Sequence, residues 1–318
     1  MATFGDTIVG DPAPLTLTHS AAPAPAGWQA RLSLGFARQP SRTILRQSSH
    51  FGPLQVQRPF YPEDATVCHI AVLHPPGGVV GGDELRIDAV LDCDTHALIT
   101  TPAAGKFYRS AGPVARQTQY LTVAPGAALE WLPQETIGFS GARVQTQTRV
   151  ELSGNARFIG WDILCLGRPA AGELFSTGEY RQDFELWRDG EPLYLERARY
   201  GGGAPILDAP WGLQGQPVSG LLVCAASVPG DVIKAIRAGW EALMPSAPAP
   251  LPQAGEGSIA PSSPTPELAT VSQLDGVLIG RYLGPSTARA RRLFILAWGL
   301  LRPVVFNRPP CPSRFWNT

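Results

Sequence analysis

Glu84-Leu85-Arg86-Ile87-Asp88-Ala89-Val90-Leu91 leads into Asp92-Cys93-Asp94-Thr95 and then Ala97-Leu98-Ile99: an alternating strand, a tight turn, and the start of an apolar strand. The same order returns in Gln117–Val123, Ala124-Pro125-Gly126 and Ala127-Ala128-Leu129, and again in Gln145–Leu152, Ser153-Gly154-Asn155 and Ala156-Arg157-Phe158. Ala97, Ala127 and Ala156 lie thirty and twenty-nine residues apart. Self-similarity at that period marks stacked repeats. One such unit cannot cover its own apolar face, so successive units must lie on one another. The expected fold is mainly β: a β-helical, solenoid-like stack of short strands. The loops between units then collect along one edge, and they carry the least ordinary residues of the chain, Lys106, Glu135 and Asp162.

Trp28–Ala37 alternates and predicts the first strand. Ile44–Gln57 predicts short strands broken at Gly52-Pro53, and Thr66–Leu73 a buried strand. His74-Pro75-Pro76-Gly77-Gly78 cannot be helix, because prolines lack N–H groups and glycines favour unusual φ. Asp189-Gly190, between Asp183–Arg188 and Glu191–Arg197, predicts a type I′ hairpin. Val218–Ala226 and Val277–Leu283 predict further strands. Asp231–Leu243 predicts a helix with Val232, Ile236, Trp240 and Leu243 on its apolar face. Ser286 predicts the cap of a second helix that Pro303 ends. Arg289, Arg291 and Arg292 in its first turns read as solvated, or as contacts to an acidic partner. Residues 1–27, rich in Ala, Pro and Thr, predict a disordered tail, and Pro245–Pro266 a mobile insertion in an otherwise single domain, 28–318.

Composition excludes several classes. The chain has 318 residues, 44% of them apolar and 16% charged, with a formal net charge of zero. A nucleic-acid footprint would need clustered basic charge. The five cysteines are widely spaced without a CxxC, which argues for a reducing, cytoplasmic setting. No apolar run reaches the length of a membrane span. Gly105-Lys106 fails the phosphate-loop pattern on both flanks, and GxSxG and HExxH are absent. Cys68 and His74 share a strand face but lie about 20 Å apart at roughly 3.3 Å per residue, so no closed metal site with His69 is expected.

The acids are harder to dismiss. Asp162 follows Trp161 on an otherwise apolar strand. A carboxylate there must be paired, bound to a cation, or protonated. Arg168 is one candidate partner. The alternative is that Asp83, Glu135 and Asp162 line a polar channel through the ladder, where oxygen ligands would hold a divalent ion loosely. Lys106 is either a surface lysine packed on an aromatic ring or part of that channel.

Several segments, in order along the chain, resemble the urease accessory protein D family. They are Leu73-His74-Pro75-Pro76-Gly77-Gly78-Val79-Val80-Gly81-Gly82-Asp83, Thr101–Arg109, Glu130–Glu135, Gly160-Trp161-Asp162 through Leu166-Gly167-Arg168, Glu185–Gly190 and Arg314–Thr318. The resemblance implies a β-helical fold with two helices in the C-terminal third. It also implies a non-enzymatic maturation factor that binds apo-urease and the accessory proteins F and G, the latter a GTPase, and meets the nickel chaperone E indirectly. No cofactor would be held tightly; nickel would pass in transit through an internal polar tunnel. By motif position the carry-over reaches Asp83, Lys106, Asp162 and Glu196, with Glu135 as a further acid and His74 and Arg168 as flanking groups. The competing readings are a β-solenoid hydrolase or lyase using paired carboxylates, and a polysaccharide-binding module with Trp131, Trp161 and Trp187 as platforms.

Overall fold

The computed structural model describes residues 27–244 and 266–317. The expected N-terminal tail, apart from Gly27, and the expected insertion, apart from Pro266, lie outside the described residues. The strands are β1 (Gln29–Gln39), β2 (Arg42–Phe51), β3 (Gln55–Val56), β4 (Val67–Leu73), β5 (Glu84–Leu91), β6 (His96–Thr100), β7 (Gly105–Phe107), β8 (Ala115–Val123), β9 (Ala128–Leu132), β10 (Thr136–Gly138), β11 (Arg143–Leu152) and β12 (Arg157–Leu166). They continue with β13 (Glu179–Arg188), β14 (Glu191–Gly201), β15 (Val218–Cys224), β16 (Leu268–Leu274) and β17 (Val277–Gly284). The helices are α1 (Gly230–Leu243) and α2 (Thr287–Phe306).

The three-unit ladder is present as a β-solenoid of about four turns. β1, β5, β8, β11 and β13 pair in parallel as one wall, with β2 and β14 as antiparallel edges. β4, β6, β9 and β12 pair in parallel as the second wall, which β15, β17 and β16 extend. The short strand β10 pairs in parallel with β7 on one side and with β12 on the other, forming a third strip. Each tight turn from wall to wall closes with its own backbone hydrogen bond: Thr95 N–H to Asp92, Ala127 N–H to Ala124, and Ala156 N–H to Ser153.

Alternation decides what each strand buries. Ala89 and Leu91, Leu121 and Val123, and Val150 and Leu152 stack between the walls, nearly all fully buried. The apolar edge of the solenoid is therefore a continuous aliphatic row along its axis. Asp189 and Gly190 both take positive φ, +51° and +84°, as the hairpin requires.

The helices cover the outer face of the second wall. Ile236 and Trp240 of α1 are buried, whereas Leu243, expected on the same face, is exposed because the helix ends there. Ser286 caps α2, accepting from Arg289 N–H. Pro303 does not end α2, which runs three residues further. Leu301, Arg302, Val305 and Phe306 are all buried, and that packing outweighs the hydrogen bond the proline ring removes. Arg289 and Arg291 are not merely solvated. They pair with Glu267 and Glu135 of this chain, at 3.1 Å each. Arg292 is exposed.

Beneath α2 lies a buried ionic network that joins distant parts of the chain. Glu130, fully buried on β9, accepts from Arg302, from Trp298 Nε1 and, through a 2.7 Å contact, from the His96 ring. Arg302 also reaches Glu63, itself 2.8 Å from His69, and donates to the Pro309 carbonyl. These bonds to Arg302 and His96 hold the Glu130 carboxyl down to about 2 against burial, the largest single influence, which pushes it up.

Candidate functional site

In the half of the solenoid where the inner aliphatic row stops, the same inward positions turn polar. Register places Leu85, Gln117, Thr146 and Gln182 side by side on β5, β8, β11 and β13. Ile87, Gln119, Thr148 and Phe184 form the next row. Thr148 Oγ1 donates to Gln119 Oε1 at 3.0 Å. At about 4.8 Å between neighbouring strands, the polar residues on β8, β11 and β13 make a strip about 10 Å long, parallel to the solenoid axis.

Gln117, Gln119, Thr146 and Thr148 face a cavity of about 490 Å³ between the walls. Asp162 on β12 and Trp131 at the end of β9 form part of the opposite side, and His74 and Lys106 part of its rim. Pro75, Gly77, Ala103 and Gly105 line it while being exposed, so the cavity reaches solvent there. A volume of this size has room for several water molecules.

Among the described residues, Asp162 is the one carboxylate on the cavity wall. Its surroundings are those of a core residue, yet part of its surface faces the cavity. Burial pushes its carboxyl up to about 6; a hydrogen bond from Gln182 opposes this, and the charge of Glu196 adds to it. Arg168 does not neutralise it. That guanidinium pairs with Glu173 and stacks over the Phe139 ring at 4.8 Å. Burial lowers the His74 imidazole, against a smaller opposing pull from Asp83. Lys106, on β7, makes no ion pair among the described residues.

The other sequence-derived candidates fall elsewhere. Asp83 is buried beside Gly82, and its two oxygens accept from Trp28 N–H at 2.8 Å and Val80 N–H at 2.9 Å. It fixes the glycine-rich turn and is not part of the cavity wall. Glu135 turns away from the cavity towards α2, where Arg291 holds it. Glu196, on β14, lies beyond Asp162. It is bound by Arg281 of β17 at 2.5 Å and by Tyr194 Oη. The acids expected to line one channel are thus divided, with Asp162 on the wall and Glu196 electrostatically coupled to it. Among the described residues no three His, Cys, Asp or Glu side chains converge to hold a metal ion. Trp131 and Trp161 are buried, and Trp187 is half-buried under Arg149, so they offer no open sugar platform.

Gln117, Gln119, Thr146, Thr148 and Gln182 escaped the sequence reading. Their signal was present: in Arg143–Leu152, Thr146 and Thr148 occupy the parity of Val144, Val150 and Leu152. Polar residues on the apolar parity of a strand mark a wet interior.

The family model for the UreD urease accessory protein matches residues 29–317. The chain belongs to the UreD family. Among UreD proteins, it is 46% identical over 291 residues to the urease accessory protein of Dechloromonas aromatica, covering 92% of this chain and 95% of that one. It is 44% identical over 305 residues to the UreD protein of an Azoarcus species, covering 96% and 98%. With the UreD protein of Pseudomonas fluorescens it shares 43% identity over 293 residues. The UreD family supports a role in urease maturation, and its members are named as accessory proteins rather than enzymes. No helix among the described residues is long and apolar enough to cross a membrane.

Proposed function

We propose that this chain is a non-enzymatic scaffold that binds apo-urease and the accessory proteins F and G, and through the cavity passes nickel during GTP-dependent loading. Nickel is cargo on this reading, not a resident cofactor, and the chaperone E supplies it upstream. The observation that carries the proposal is the juxtaposition of a lone, unneutralised carboxylate, Asp162, with a strip of inward-facing amides and hydroxyls. Neutral oxygen donors with one carboxylate give weak, exchangeable contacts to a divalent ion, whereas a closed set of thiolates or imidazoles would retain it. The path runs from the His74 and Lys106 rim, past Gln117 and Thr146, to Asp162, which Gln182 hydrogen-bonds, with Glu196 as the next acid beyond. Asp83 and Glu135 shape this path without lining it, the first by fixing the turn before β5 and the second by tying β10 to α2.

The test co-expresses urease with Asp162→Ala or Lys106→Ala chains. Apo-urease, F and G should still co-purify with both variants, while the nickel content of urease falls. Unchanged nickel loading in both variants rejects the path. The purified chain alone should hydrolyse no GTP; hydrolysis by a preparation free of protein G rejects the scaffold reading.

A further inference from the structure

The outer face of the first wall carries a surface that the cavity reading does not use. Most arginines there are matched by acids on neighbouring positions. Arg149 pairs with Glu151 and Glu185, and Glu179 takes both Arg181 and Arg199. At the β1–β5–β8 end one arginine, Arg31, is left without an acid. Register sets Arg31 directly beside Arg86, where like charges repel. Arg86 is held by Asp88 and lies over the Tyr120 ring, 4.6 Å from its centre. Arg116 has only a 3.5 Å contact with Glu84, both side chains about half exposed. Arg31 makes no ion pair or hydrogen bond among the described residues. Across the strand from Arg31 stands Phe51, 67% exposed. These side chains surround one concavity of about 480 Å³.

Arg86 has Asp88, but Arg31 stands beside it with no acid of its own, and an external anion would supply the missing charge. Arginine and aromatic side chains around a hollow are also the residue types that anchor protein interfaces. We infer that this concavity is a docking surface for an acidic protein segment, with carboxylates meeting Arg31, Arg86 and Arg116 and an apolar side chain resting on Phe51. Resting on the function proposed above, the partner that presents this segment is apo-urease.

Tagged full-length chain is co-expressed with the urease subunits, and captured urease is measured per chain. Arg31→Glu combined with Arg116→Glu should lower capture by roughly tenfold, the effect of losing a charged anchor at an interface. Arg292→Glu, an exposed reversal on α2, should leave capture unchanged, and all variants should melt with the wild type. Wild-type capture should weaken as salt rises from about 0.1 M to about 0.5 M. Equal capture by the double variant overturns the docking surface and leaves the scaffold reading standing. A wild-type chain that captures no urease overturns both. If the double variant abolishes a concentration-dependent dimer yet captures urease normally, the face meets a second copy of this chain, and the urease assignment falls.

Discussion

Replacing Asp162 with asparagine should stabilise the folded chain at neutral pH and leave it unchanged in acid. The carboxyl has an ordinary value of 3.8 and stands at about 6 in the fold. Between those values the folded state holds a proton that the unfolded state has released, so stability falls as pH rises through the interval and is constant above it. At about 1.4 kcal/mol per pH unit, the charged carboxylate costs the native state on the order of 3 kcal/mol at pH 7 and above. Asparagine keeps an oxygen to accept from Gln182 and removes the charge that burial and Glu196 oppose. Urea titrations followed by tryptophan fluorescence, at steps from about pH 4 to about pH 8, give the stability difference between variant and wild type. That difference should be near zero at the acid end, rise through the middle, and level off at roughly 3 kcal/mol. Using the difference cancels the titration of every other group, and its change with pH is independent of any constant effect of the amide itself. A curve that stays flat across the whole range refutes the raised carboxyl, and with it the claim that Asp162 is enclosed and unneutralised.

Arg302→Met should destabilise the chain by about 3–5 kcal/mol, because it strands the buried carboxylates of Glu130 and Glu63; a melting midpoint that drops by less than about 3 °C would contradict the network. Glu130 works with the opposite sign to Asp162: its depressed carboxyl contributes stability above its ordinary value of 4.5 that is lost as pH falls towards 2, so Glu130→Gln should flatten the acid limb of a denaturation profile. Gly190→Ala places a Cβ at a φ of +84° and should cost about 1–2 kcal/mol, read as an earlier urea midpoint without loss of urease capture. Asp83→Ala removes the acceptor for Trp28 and Val80 N–H groups and should cost about 1–3 kcal/mol, with a local rise in hydrogen exchange before β5.

The repeat was legible because strand alternation and turn residues are local properties. Leu85, Ile87, Ala89 and Leu91 announce a buried face before any partner strand is known. So do the glycines of the turns. The end of α2 was not legible, because Pro303 is a local stop signal overridden by burial of Val305 and Phe306, which only the folded chain reveals. The wall of the cavity was half legible. Asp162 stood out as one acid in an apolar strand, and Thr146 lay on the apolar parity of its strand, but only the register shows that Thr146 and Gln117 sit side by side. Glu130 carried the same signal as Asp162, and their fates differ: α2 brings Arg302 and Trp298 to the first, while the second is left facing open space. That difference depends on a helix some 170 positions away in sequence, beyond the reach of local reading.

Because each turn of the solenoid adds one strand to each wall, the length of the cavity along the axis is counted in whole rings. Adding or deleting one ring of about thirty residues would change the cavity's length by roughly 5 Å while its width stayed the same. Reach and width are therefore separately adjustable, the first by ring number and the second by the size of side chains such as Gln117 and Thr146.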